Sequence, residues 1–112
     1  MTTTVQKQVL INAGALIVDP AHWTRGTLAC NVNNRKVEWH DPSATKWCAM
    51  GAIYRAAYDL VGDLQEATRI GNEVVAKSVS PTRWFRGGLP VINDMRGHAA
   101  VLKLFDKALQ AA

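Results

Sequence analysis

The chain has 112 residues, of which 48% are hydrophobic and 20% are charged, and its formal net charge is +4. This length suits a single compact domain over residues 1–112, and this composition excludes a largely disordered chain. No apolar stretch approaches the roughly 20 residues of a membrane span, residues 1–4 lack a signal-peptide pattern, and two cysteines do not make a secreted disulfide framework. We therefore expect a cytoplasmic protein without a membrane partner.

Four helices are predicted from apolar residues that recur every three or four positions, so that one face of each helix would be buried. Their predicted bounds, in chain order, are residues 4–17, 44–61, 64–78 and 98–109. Threonines before the first helix, Ser43 before the second and Asp63 before the third offer side chains that accept hydrogen bonds from helical amides. Asp19-Pro20 ends the first helix, because the residue before a proline is disfavoured in helical conformation.

The stretches between these helices differ in composition. Residues 27–32 and 35–40 flank Asn33-Asn34, and asparagine tolerates a positive φ, so this region predicts a short hairpin. Residues 80–97 form a long connection with two prolines and three glycines, a kind of loop that often carries function. The predicted fold class is mainly α, with about four helices and a small β-hairpin between helices 1 and 2.

The first candidate site combines Cys48, His98, Asn93 and Asp94. A nucleophilic cysteine acts as its thiolate, which a histidine base can generate, and an asparagine or aspartate can orient that base. This set would make a cysteine-dependent enzyme. The structural alternative makes Cys48 a small core residue, while Asn93 and Asp94 cap the last helix and bind loop backbone groups.

The second candidate site is the aromatic and basic run Arg83, Trp84, Phe85 and Arg86, with Arg96 further along. It lies in the most basic third of the chain, since residues 80–112 hold five basic and two acidic side chains. Arginine and aromatic residues are favoured anchors of protein interfaces. The same residue types can neutralise phosphates and stack on bases. In a third interpretation, the two aromatic rings fold into the core and the arginines stay in water.

Other residues with potential chemistry have simpler interpretations. Trp23 and Arg25 are interpreted as a structural clamp, with the guanidinium stacked or bonded to carbonyls. His22, His40 and His98 are far apart in sequence, and no cysteine or histidine pair has metal-ligand spacing. We therefore predict neither a metal nor a cofactor.

Three stretches together resemble a family of small uncharacterised proteins of bacteria and phages. They are Trp23-Thr24-Arg25-Gly26, Trp47-Cys48-Ala49-Met50-Gly51-Ala52, and Asn93-Asp94 followed by Gly97-His98 and Val101-Leu102-Lys103-Leu104. The resemblance implies an accessory protein of bacteria, phages or other mobile elements, and it implies no particular reaction.

The predicted function is a small accessory protein that docks on another protein, as a phage or mobile-element modulator or inhibitor of a host bacterial system. The partner-binding residues would be Arg83, Trp84, Phe85, Arg86 and Arg96. A homodimer and nucleic acid are the alternative partners. The alternative function is the cysteine-dependent enzyme, and an enzyme is the less favoured class.

Overall fold

Four long helices and a two-stranded antiparallel sheet form the part of the chain that the computed structural model describes, residues 3–76 and 93–111. The helices are α1 (Thr4–Ile17), α2 (Ala49–Val61), α3 (Leu64–Val74) and α4 (His98–Ala111), and the strands are β1 (Ala29–Asn31) and β2 (Ala44–Trp47). The predicted fold class is confirmed.

Helix α1 has the predicted bounds and the predicted threonine cap. The amide of Gln6 donates to Thr3 Oγ1 over 3.1 Å, and the amide of Thr3 donates to Gln6 Oε1 over 3.2 Å. This reciprocal capping box satisfies amides that have no partner within the helix. Beyond the cap, α1 buries Val9, Ala13 and Ile17 in the core.

Helix α2 lies at the centre and packs on both α1 and α3. Its buried face consists mainly of small residues, which let its neighbours approach closely: Ala49, Gly51, Ala52, Ala56 and Ala57. Across from it, Gly71 of α3 faces the Tyr54 ring, where an added Cβ would lie 2.2 Å from a ring carbon. The larger core residues Ile53, Val101 and Phe105 fill the remaining space.

The sheet pairs β1 with a different stretch from the one predicted. Cys30 lies opposite Lys46 in the antiparallel pair, whereas residues 35–40 contribute only an isolated bridge through Lys36. The prediction of a second strand at residues 35–40 was wrong, because the chain turns after Val37, where the Asp41 amide donates to the Glu38 carbonyl over 3.0 Å. Trp39 then stacks on the Tyr54 ring of α2 and does not extend the sheet. In β2, by contrast, Ala44 and Trp47 are buried. The turn at Asn34 does have the expected positive φ, at 62°.

The second helix begins five residues later than predicted. Ser43 does not cap it, since its amide and hydroxyl both donate to Asp41 Oδ1, over 2.8 and 2.7 Å, in a turn that leads into β2. Helix α2 instead begins after Cys48. The physical reason is that β2 must remain extended through Trp47 to pair with β1 and bury the indole.

Helix α3 starts at the predicted cap, where Asp63 Oδ2 accepts from the amide of Glu66 over 2.8 Å. The regular helix ends at Val74, and residues 77–78 of its predicted end lie outside the described residues. Residues 93–96 form a helical turn within the predicted connection 80–97, so that this part of the loop prediction was wrong. Gly97, with φ of 91°, separates the turn from α4. In residues 3–76 and 93–111 we find no helix that combines the length and the apolar character needed to cross a membrane.

Candidate functional site

Cys48 is the N-cap residue of α2. Its extended backbone (φ −76°, ψ 175°) joins β2 to the helix, and its Sγ accepts from the Gly51 amide over 3.3 Å. Its own amide donates to the Leu28 carbonyl over 3.2 Å. The side chain is only 6% exposed. The cysteine therefore lies at the helix terminus, where the dipole favours a thiolate, but in a buried environment.

Burial decides the protonation state of this thiol. Burial raises the pKa of Cys48 above the usual range, and the nearby carboxylate of Asp94 raises it further. The amides of Gly51 and Met50 act in the opposite direction but do not reverse the shift. Cys48 is therefore a protonated thiol at neutral pH, which is the form that reacts poorly as a nucleophile.

We expect Cys48 to be alkylated by iodoacetamide at pH 7 more slowly in the folded protein than in the urea-unfolded chain. The raised pKa lowers its thiolate fraction below that of an ordinary cysteine, whose pKa is about 8.5. Because the folded state favours the protonated thiol, the stability linked to Cys48 is fully present below the unfolded-state pKa of about 8.5 and is lost as the pH rises through the folded-state pKa. Mass spectrometry of the Cys48 peptide over time measures the rate, with free cysteine as reference. Alkylation at pH 7 faster than that of free cysteine would support the enzyme alternative.

Asn93 is a fully buried polar residue that joins three segments. Its Oδ1 accepts from the Trp23 indole over 2.7 Å and from the Ala49 amide, the first of α2, over 2.9 Å. Its Nδ2 donates to the Thr24 carbonyl over 3.1 Å and to Asp94 Oδ1 over 3.0 Å. All four hydrogen-bonding positions of the amide are used. Asn93 is therefore built into the frame, where it caps α2 from a distant part of the chain.

Asp94 and Arg25 fasten the loop at residues 23–26 to the turn at residues 93–96. The Gly26 amide donates to Asp94 Oδ1 over 3.0 Å, and Arg25 Nη1 donates to the Asp94 carbonyl over 3.1 Å. The Arg25 guanidinium also lies over the Trp23 ring, 5.0 Å from its centroid. The predicted clamp of Trp23 and Arg25 is thus confirmed, with both stacking and a carbonyl bond.

His98 is bonded to the end of α1 and packs against Trp23. Its Nε2–H donates to the carbonyl of Ile17 at the end of α1, and its ring lies 5.5 Å from the Trp23 ring, centroid to centroid. Within the described residues, no hydrogen bond joins His98 to Cys48. Among the described residues, the side chains of Asn93 and Asp94 bond to other segments and not to the amides of α4, so the expected cap of the last helix is not formed. The expected bonds to loop backbone groups, at Thr24 and Gly26, are confirmed.

A small cavity of about 190 Å³ lies beside the Cys48 thiol. It is lined by Gly26, Thr27, Leu28, Cys48 and Asp94. Sites for drug-sized ligands usually enclose roughly 300–1,000 Å³, so this cavity suits a few water molecules or one protruding side chain. The structure thus brings Cys48, Asn93 and Asp94 into one neighbourhood and bonds His98 to the end of α1.

The second predicted site falls largely outside the described residues, because Arg83, Trp84, Phe85 and Arg86 lie between residues 77 and 92. Arg96 is described and exposed on the turn at residues 93–96. Beside it, Met95 is 78% exposed. Met95 was not predicted from the sequence, because nothing in the periodicity of a loop indicates which apolar residue stays in water.

In the part of the chain that is described, we find no group of three or more histidine, cysteine, aspartate or glutamate side chains that could hold a metal ion. Both cysteines are free thiols. Cys30 is buried in β1, where its sulfur contacts the Thr24 hydroxyl over 3.9 Å.

The three stretches that carry the family resemblance therefore meet in space at Asn93, which binds Trp23 and Thr24 on one side and Ala49 on the other. They define a small helical domain in which a loop, a helix start and a turn share one buried amide. A family model described as "Family of unknown function (DUF6197)" matches residues 1–111, and the chain belongs to that family. Neither the curated proteins nor the solved structures gave a match.

Proposed function

We propose that this chain is a binding protein that docks on another protein through the surface beside Asn93, formed by Arg25, Leu28, Met95 and Arg96 and called here the motif surface. The observation that carries the proposal is the exposure of Met95, 78%, on a turn that a fully buried side chain holds in place. A methionine exposed on an anchored turn suits an interface contact, because methionine is enriched at interfaces and its flexible side chain can adapt to a partner surface, while the backbone that presents it is already ordered.

The charge of the motif surface favours a partner with acidic groups around an apolar contact. Arg25 and Arg96 are both exposed, and Arg25 is held by its bond to the Asp94 carbonyl next to Met95. Leu28 is 38% exposed and lines the same small cavity as Asp94. That cavity has room for one partner side chain, which would add specificity to the contact.

The predicted residues Arg83, Trp84, Phe85 and Arg86 remain part of this proposal, as an extension of the motif surface along the chain. A role as a phage or mobile-element modulator or inhibitor of a host bacterial system is the specific form that the sequence resemblance favours. The cytoplasm is the location expected from the composition and the two cysteines. Nucleic acid stays the alternative partner, and it predicts binding that weakens steeply with added salt.

Met95→Asp should abolish capture of the protein partner, because a carboxylate would replace the apolar anchor and face an acidic surface. The matched control is Val32→Asp, since Val32 is similarly exposed, at 74%, but lies in the turn after β1. Immobilised wild type and the two variants would be compared for the same partner band, identified by mass spectrometry from bacterial extracts.

A second pair of variants separates charge from apolar contact. Arg96→Glu should weaken capture, and Arg35→Glu, at another exposed position, should leave it unchanged. Thermal unfolding followed by circular dichroism checks that all four variants fold. A partner retained equally by Met95→Asp and by Val32→Asp would show that the motif surface is not where the chain binds.

A further inference from the structure

One face of α1 carries apolar side chains that no described element covers. Ile11 is 51% exposed and Val18, which follows the last residue of α1, is 60% exposed, although both are large and apolar. Together with exposed Lys7 and Ala15, they follow each other at spacings of four, four and three residues, so they form one stripe along the helix. This stripe lies on the side of α1 opposite to the face that Val9, Ala13 and Ile17 bury in the core.

The stripe borders a mainly apolar groove of about 390 Å³ between α1 and α4. Gly14 forms the floor of the groove, where the missing side chain leaves the Phe105 ring accessible; an added Cβ would lie 3.8 Å from that ring. Leu102 and Leu109 of α4 line the opposite wall, with Asp106 between them. A groove with apolar walls next to exposed isoleucine and valine is suited to receive one further helix.

We propose that the occupant is a second copy of this chain, with the two α1 helices packed antiparallel about a two-fold axis between Gly14 and Ala15. In a two-fold interface the same surface is used twice, so the stripe must be complementary to itself. Reflection about this midpoint places Ile11 opposite Val18 of the other copy, and Gly14 opposite Ala15. The small residues meet at the crossing, where the backbones approach, and each large residue enters one end of the partner groove.

The charges on α1 select the antiparallel arrangement over the parallel one. Lys7 lies at the amino end of the stripe, and Asp19 directly follows its carboxyl end. Antiparallel packing brings Lys7 of each copy towards Asp19 of the other, whereas parallel packing would bring like charges together. Exposed ion pairs stabilise by only about 1 kcal/mol or less, so these charges fix orientation while the apolar contacts supply the affinity.

This arrangement would also place the two motif surfaces at opposite ends of the dimer. The carbonyl of Ile17, at the carboxyl end of α1, is bonded to His98, which contacts Trp23 beside the motif surface. Two binding surfaces at opposite ends would let the dimer engage two partner molecules. This consequence rests on the proposed function, whereas the dimer itself does not.

Sedimentation equilibrium of the full chain over a range of concentrations tests the proposal. We expect wild type to reach twice the chain mass of 12.3 kDa. Ile11→Glu and Val18→Glu should each raise the dimer dissociation constant at least about 30-fold, because a charge would enter an apolar contact. Val5→Glu is the matched control, since Val5 is 45% exposed on another face of α1, and it should remain dimeric.

Charge exchange then tests the orientation. Lys7→Glu and Asp19→Lys should each weaken self-association, and an equimolar mixture of the two chains should form a heterodimer more tightly than either chain pairs with itself. Circular dichroism checks folding of the Asp19 variant, because the Asp19 side chain also accepts from the Ala21 amide. The interface would be refuted if the wild-type chain stayed monomeric. It would also be refuted if neither Ile11→Glu nor Val18→Glu weakened the dimer. Failure of the mixture to favour the heterodimer would refute the antiparallel arrangement.

Discussion

Replacing Asn93 by alanine should lower the free energy of unfolding by about 3 to 5 kcal/mol, because it opens a cavity in the core and leaves one buried and two half-buried groups without a hydrogen-bond partner. The Ala49 amide, the Trp23 indole and the Thr24 carbonyl all depend on this one side chain. Urea titration followed by tryptophan fluorescence measures the effect. We expect the midpoint to fall and the slope to stay unchanged.

Two further substitutions make this expectation specific. Trp23→Phe removes the indole N–H and the five-membered ring but leaves the Asn93 bonds to Ala49 and Thr24 in place, so it should cost less than Asn93→Ala, about 1 to 2 kcal/mol. Asn33→Ala changes an exposed asparagine in the turn after β1 and should stay within about 0.5 kcal/mol of wild type. If Asn93→Ala were as stable as Asn33→Ala, the hydrogen bonds of Asn93 would not be what holds the three stretches together.

Gly51→Ala adds a single methyl group, yet we expect it to lower the free energy of unfolding by about 3 kcal/mol or more. An added Cβ would lie 2.0 Å from the Leu28 carbonyl oxygen and 2.9 Å from its carbon. These are backbone atoms, and the same carbonyl already accepts from the Cys48 amide. The clash can be relieved only by separating the start of α2 from Leu28, which directly precedes β1. That separation would also disturb the small cavity beside Cys48.

Gly14→Ala is the natural comparison, because it makes the same chemical change inside another helix. There the added Cβ meets only the Phe105 ring at 3.8 Å, an ordinary contact, and alanine favours helix over glycine by about 0.5–1 kcal/mol. We expect this variant to be as stable as its parent or more stable. Both changes should be measured in the Ile11→Glu background, because Gly14 lies at the proposed crossing of the α1 pair.

The two Gly→Ala variants are compared by thermal and urea unfolding. A Gly51→Ala chain that unfolds at the same urea concentration as its parent would mean that the approach of Leu28 to α2 is looser than the structure has it. Equal losses at both positions would instead indicate a general effect of glycine substitution in these helices.

Most helix bounds and caps could be predicted from residues close together in the sequence. The bounds of α1, its threonine cap, the Asp63 cap of α3 and the start of α4 follow from apolar spacing and from side chains that bond to neighbouring amides. These are short-range effects, settled within about four residues along the chain. For that reason the mainly helical class was predictable.

The start of α2 was not predictable on the same basis. Ser43 is a good local cap, but pairing of β2 with β1 keeps the chain extended through Trp47. The partner strand lies more than ten residues away, and no feature near Ser43 indicates it. This single shift moved Cys48 from the interior of a predicted helix to its N-cap, which changes the chemistry expected of the thiol.

Apolar spacing and composition were enough to predict the four helices, the modest positive charge and three motif stretches that include an asparagine and an aspartate. That these stretches meet, that Asn93 is the buried centre of their contact and that His98 bonds to Ile17 became visible only in the folded chain. The physical reason is the range of the interactions: helical periodicity is local, whereas the hydrogen bonds of Asn93 join residues 44 to 70 positions apart. Their geometry exists only once β2, α2 and the turn at residues 93–96 have packed together.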